Sequence, residues 1–141
     1  MMSSYSNYFK KQVGAQFNLD WVRKDSDFVY NQLRHVKKIV PFDSDLDAPV
    51  LEIGSGMGRL ALLLYEAGFS DYTGLEIDPE AQKFSQTLGF QSFNFINQEI
   101  KDFAEKYSEP RFESVFCFET LEHLEHPIQD LMAISSLIKE G

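Results

Sequence analysis

The sequence predicts an α/β domain: a mostly parallel sheet with helices on both faces, built from four strand–helix units. Three observations carry this. An apolar run, Val50-Leu51-Glu52-Ile53, leads into glycines at alternate positions, Gly54, Gly56 and Gly58, and then into the helical stretch Arg59-Leu60-Ala61-Leu62-Leu63-Leu64. Short apolar strands then alternate with helical segments to the end of the chain, as they do in parallel sheets. The polar and charged residues with chemical potential fall at the carboxyl ends of those strands, where open α/β sheets bind ligands.

Bulk properties narrow the class. A chain of 141 residues is one domain, long enough to bury a core. It has no apolar run near the roughly 20 residues that span a bilayer. Met1 to Ser6 lacks the basic and apolar regions of a signal peptide. Cys117 is the single cysteine and cannot close an internal disulfide, so a reducing, cytoplasmic setting is expected. A net charge of −9 disfavours a broad nucleic-acid footprint, and the basic clusters are modest: Lys10-Lys11 and Arg34 to Lys38.

The elements follow in order. Residues 1–27, with Tyr5, Tyr8, Phe9, Phe17 and Trp21, read as an irregular or partly helical arm that either covers a ligand or packs on the domain. The domain proper is expected over 28–141. It begins with an amphipathic helix over 28–40 that places Val29, Leu33, Val36 and Val40 on one face and ends at Pro41. Strand one is expected at 49–53, with a helix to Ala67 and a stop at Gly68. Strand two covers 72–77. Asp78 caps the next helix, Pro79 occupies its first turn and Gly89 ends it. Strand three covers 92–97, its helix 100–107, strand four 113–118 and the last helix 127–139.

The residues then suggest chemistry. Alternate glycines leave a turn almost bare of side chains, so a nucleotide-like ligand can lie against the backbone; the bland alternative is a tight turn that binds nothing. A dinucleotide turn needs Gly-x-Gly-x-x-Gly, and the position for its third glycine holds Arg59. Glu76 ends strand two, 20 residues after Gly56, where an acid accepts hydrogen bonds from ribose hydroxyls, with Ile77 beside it for the adenine. Asp78 reads as a helix cap. Cys117 reads as a buried small residue. Glu119, Glu122 and His123 share one face if their turn is helical. That leaves three roles open: His123 as a general base beside Glu119, a divalent-metal site, or a structural cap. A metal site needs a further ligand that the sequence does not supply, so no metal is assigned.

Taken together, the acid, strand and Gly-x-Gly-x-Gly at 52–58 resemble motif I of class I S-adenosylmethionine-dependent methyltransferases. Phe118-Glu119-Thr120-Leu121-Glu122-His123, with Pro127 starting a helix, resembles their motif IV stretch. The resemblance covers roughly 28–141 and is nearest the small-molecule branch typified by ubiquinone-biosynthesis O-methyltransferases. It implies a Rossmann-like fold, S-adenosyl-L-methionine as methyl donor and a small-molecule acceptor. By the same resemblance Glu52, Gly54, Ser55, Gly56 and Gly58 form the donor turn, Glu52 either holding that turn or meeting the donor's amino group through water. Glu76 and Ile77 meet the nucleoside, Glu99 and the backbone of Ile100 the adenine, and Phe118 and Glu119 the methionine end. Gln98-Glu99 stands where the family usually has Gly-Asp. The family sheet has order 3-2-1-4-5-7-6, so this sequence matches the fold cut off after its fourth strand–helix unit. A second copy or a further segment is then expected to cover the strand-four edge. Three rival readings stay open: a non-catalytic methyltransferase-like domain or inactive fragment, an NAD-dependent oxidoreductase, and a metal-dependent RNA 2′-O-methyltransferase, which uses a similar Glu-x-x-Glu-His.

Overall fold

The structure, a computed structural model, describes residue 31, residues 45–118 and residues 120–140. The expected N-terminal arm, nearly all of the helix over 28–40, and Glu119 lie outside the described residues. The order is β1 (Val50–Ile53), α1 (Arg59–Glu66), β2 (Tyr72–Leu75), α2 (Pro79–Thr87), β3 (Phe93–Ile96), α3 (Ile100–Ala104), β4 (Ser114–Phe116), a 3-10 turn (Leu121–His123) and α4 (Pro127–Leu137).

The described strands form one sheet of order β3-β2-β1-β4, and every pairing is parallel. Two central strands flanked on both sides must be apolar on both faces, and β1 and β2 are buried at every residue. Strand alternation sorts the side chains into two cores. Val50, Tyr72, Phe93 and Phe95 meet Leu60, Ala61 and Leu64 of α1 on one face. Leu51, Ile53 and Leu75 meet Ile100 and Phe103 of α3 and Leu137 of α4 on the other. No described helix is long and apolar enough to cross a membrane.

Local chemistry starts and stops the helices as expected. The Asp78 carboxylate accepts the Glu80 and Ala81 N–H groups at 2.8 and 3.2 Å, with Pro79 in the first turn of α2. Gly68 and Gly89 take φ of 94° and 70° just beyond α1 and α2. Several elements are shorter than expected. β2 stops at Leu75 because its carbonyl oxygen accepts both the Gly54 and Ser55 N–H groups, turning the ladder into the glycine turn. α3 stops at Ala104 because Lys106 and Tyr107 bond to the third residue back, Phe103 and Ala104, in tighter turns. β4 stops at Phe116, having paired only with β1. Cys117, expected to be buried, is half-exposed, because it lies past the last ladder pair on the outer strand of the described sheet. At the start of that strand Ile138 forms a parallel bridge with Phe112, so the chain returns alongside β4 after α4.

Candidate functional site

The carboxyl ends of β1, β2 and β3 meet at the glycine turn. The turn is closed by its own hydrogen bonds: Gly54 and Ser55 N–H donate to Leu75 O at 2.9 Å each, and Gly58 N–H donates to Ser55 O at 3.1 Å. Gly56 N–H donates to Glu76 Oε2 at 2.8 Å, and Asp78 N–H donates to Glu76 Oε1 at 2.9 Å. Glu76 therefore ties the turn to the end of β2 with one oxygen each way. A carboxylate has about four acceptor positions, so acceptor capacity remains on both oxygens. Only 3% of Glu76 is exposed, so a ligand reaches its edge rather than its face. Burial raises its pKa above the ordinary carboxylate value, while the backbone donors pull the other way.

The glycines have different reasons to be glycine. A Cβ on Gly56 would meet nothing within 4 Å, so this residue faces open space at the mouth of the turn. A Cβ on Gly54 would collide with the Thr120 side chain, which reaches the turn from beyond β4, the neighbour of β1. The Thr120 hydroxyl donates to Phe118 O at 2.9 Å and reaches Ile53 O at 3.3 Å. Gly58 caps α1 and accommodates Leu88. Of the three, Gly56 alone has open space where a side chain would stand.

Glu52 and Ser55 are both buried. Glu52 is on the α1 face of the sheet and buried, and Tyr72 Oη donates to its Oε2 at 2.5 Å. The Tyr72 hydroxyl reaches it across Gly74, the register partner of Glu52, where a Cβ would stand 2.7 Å from Tyr72 Oη and 2.9 Å from Ser55 Oγ. Ser55 is buried in the same polar pocket beneath the turn. Glu52 is held by Tyr72, and Ser55 Oγ is buried without a hydrogen-bond partner among the described residues. Burial, opposed by the Tyr72 bond and helped by Glu76, pushes the Glu52 pKa up to about 8. The sequence reading missed Tyr72; its signal was the side-chain gap at Gly74.

Around the rim, Ile77 and Phe118 are exposed apolar residues at the ends of β2 and β4. Glu99 is exposed at the N-cap of α3, and its side chain makes no capping bond. Ile100 is buried, so only its backbone is left to meet a ligand. Asn97, also missed, donates from Nδ2 to Glu76 O and Ile77 O at 2.9 and 3.0 Å. Leu121 to His123 form a 3-10 turn, and the shared face expected for Glu119, Glu122 and His123 involves Glu119, which lies outside the described residues. Glu122 and His123 are exposed neighbours, with 4.0 Å between Oε1 and Nε2. Among the described residues no group of His, Cys, Asp and Glu is arranged to hold a metal ion.

A family described as "Methyltransferase domain" matches residues 28–141. The chain belongs to that family. The ubiquinone biosynthesis O-methyltransferase of Xylella fastidiosa is 30% identical over 113 residues, covering 78% of this chain and 44% of that protein. The mouse EEF1A lysine methyltransferase 2 is 41% identical over 59 residues, covering 41% of this chain and 24% of its own. The chain spans less than half the length of the curated relatives it matches first. Magnesium protoporphyrin IX methyltransferase from Synechocystis, solved with bound S-adenosylmethionine, superposes with a TM-score of 0.64 at 19% identity, over 96% of this chain and 71% of that one. The Rossmann-like fold of this methyltransferase domain therefore agrees with the sequence expectation.

Proposed function

We propose that this methyltransferase domain binds S-adenosyl-L-methionine at the carboxyl ends of β1, β2 and β3 and directs its methyl group to a small-molecule acceptor. The observation that carries the reading is the closed glycine turn. The N–H groups of Gly54, Ser55, Gly56 and Gly58 already have acceptors, and the acceptor at Gly56 is a carboxylate. A pyrophosphate needs free N–H donors at such a turn. A nucleoside needs acceptors for its hydroxyl donors, and the free acceptor positions of Glu76 supply them. This favours the methyl donor over a nicotinamide dinucleotide.

The residues fit that donor. Glu76 has acceptor positions left for the ribose hydroxyls, Gly56 opens on the space a nucleoside needs, and Ile77 gives the adenine an apolar surface. Glu99 and the Ile100 N–H stand at the third strand end for the adenine edge, and Phe118 flanks the methionine end. When bound, the donor supplies a methyl group on a good leaving group. The chain's part is to align it and exclude water. Glu119 and His123 remain proposals for contact with the acceptor. A small-molecule acceptor is supported by the length of the ubiquinone-branch match, which exceeds that of the lysine methyltransferase.

Calorimetric titration with S-adenosylhomocysteine, with NADH in parallel, tests this. Micromolar binding of the first alone, weakened at least tenfold in Glu76→Gln, is expected. Binding of NADH instead would return the dinucleotide reading.

A further inference from the structure

β3 parts from the sheet at Asn97, and the way it parts bears on the nucleoside end of the site. In a parallel ladder the Glu76 N–H donates to Ile96 O, and the next bond should run from the Gln98 N–H to Glu76 O. The first is present at 3.0 Å. The second is not made, because the Gln98 N–H turns back to Ile96 O at 3.2 Å. Glu76 O would be left without its ladder donor just where the strand end must hold a precise shape. The Asn97 side chain takes over: Nδ2 donates to Glu76 O at 2.9 Å and to Ile77 O at 3.0 Å. One amide thus fixes two consecutive carbonyls, and with them the peptide planes that aim the Glu76 carboxylate and the Ile77 side chain. The outer edge of β3 is held separately, by Gln82 Nε2 donating to Phe95 O at 2.7 Å, so that edge does not depend on Asn97.

We infer that Asn97 is a positioning residue for nucleoside recognition: its amide replaces the lost ladder bond and locks the end of β2 in the shape that the ribose and adenine meet. The inference rests on the reading of Glu76 and Ile77 as the nucleoside contacts. Asn97 touches no ligand itself. Its loss therefore weakens the nucleoside end without altering what the methionine end meets.

The test is calorimetry of S-adenosylhomocysteine and of adenosine against wild type, Asn97→Ala, Asn97→Asp and Glu76→Gln, with a thermal melt of each ligand-free protein. Asn97→Asp keeps the shape but faces two carbonyl oxygens with a carboxylate. It is expected to weaken both ligands by the same factor, roughly tenfold. Asn97→Ala, which leaves those carbonyls to water at an exposed rim, should weaken both about threefold. The fraction of binding-competent protein should stay unchanged. A merely structural role would instead lower the melting temperature and the competent fraction while leaving the dissociation constants of the folded protein intact, and that result overturns the inference. If Asn97→Asp does not fold, Asn97→Ala decides by the same criterion. Wild type that binds neither ligand overturns the donor-site reading and this inference with it. Wild-type binding that is lost in Glu76→Gln yet unaltered in both Asn97 variants overturns the role of Asn97 alone.

Discussion

The glycine-turn side of the sheet and the β4–α4 side are built differently. Around the turn, Glu52, Tyr72, Glu76 and Asp78 are all buried, and their side chains are hydrogen-bonded to one another or to the backbone of the turn and the strand ends around it. Beyond β4, Phe118, Leu121, Ile128, Leu131 and Met132 are exposed apolar residues, Ile128 by 74% and Met132 by 69%. Ile128, Leu131 and Met132 line one stripe of α4, while Ala133, Ile134 and Leu137 pack against the core. The first region is fixed by its own hydrogen bonds, so its shape does not wait for a ligand. The second has an inward face that is specified and an outward face that is not. Substitutions should therefore cost much at the turn and little on the outer stripe.

The largest effect expected is at Gly54. Alanine there combines a φ of 74° with a collision against Thr120, which should destabilise the domain by about 3 kcal/mol. Gly56→Ala has the unfavourable φ but meets nothing, so about 1 kcal/mol is expected, together with loss of S-adenosylhomocysteine binding. Urea unfolding of both variants measures the gap; equal destabilisation would break the distinction between a packing glycine and a ligand-facing one.

Next comes the buried pair beneath the turn. Tyr72→Phe leaves the Glu52 carboxyl without its donor, which should cost about 2 kcal/mol. The pair also sets a pH dependence. A carboxyl raised to about 8 in the folded protein from its ordinary 4.5 binds more protons folded than unfolded across that interval. Its contribution to stability is therefore full below about 4.5 and is lost as pH rises through about 8. The raised pKa of Glu76 acts in the same direction. Thermal melts from pH 5 to 9 should show a downward slope that Glu52→Gln flattens. A slope that survives the substitution unchanged would assign it to Glu76 or elsewhere.

The smallest effects should fall on the outer side. Ile128→Ser and Met132→Ser remove mostly exposed apolar surface, and should move stability by less than about 0.5 kcal/mol. Breaking the exposed Lys139–Glu113 pair, 3.0 Å apart, should cost below about 1 kcal/mol. A loss above 2 kcal/mol in either serine variant, read in the same urea series, would show that the stripe is covered.

Much of the fold was legible in the sequence because its signals are local. Apolar runs, Asp78-Pro79, and the glycines at 68 and 89 each act within a few residues. The parallel order and the gathering of site residues at strand ends follow from the strand–helix alternation. The end of β2 was not legible because the Gly54 and Ser55 N–H groups, from elsewhere in the chain, take its last carbonyl, Leu75 O. The residue types at the glycine turn were also legible, but not their directions. The sequence leaves Glu52 either holding the turn or meeting the donor, and its actual partner is Tyr72, 20 positions away, reaching it over Gly74.

By itself, then, the sequence determined the α/β class, the turn and the acids at the strand ends, because periodicity, capping and backbone freedom are short-range properties. Only the tertiary structure decided which glycine faces space, which acid lies under the turn, and that Asn97 closes the end of β2. Those outcomes depend on which strands become neighbours and in what register: Glu52 lies opposite Gly74, and Leu75 opposite Ile96. A hydrogen bond between residues far apart in the chain exists only once that register is set.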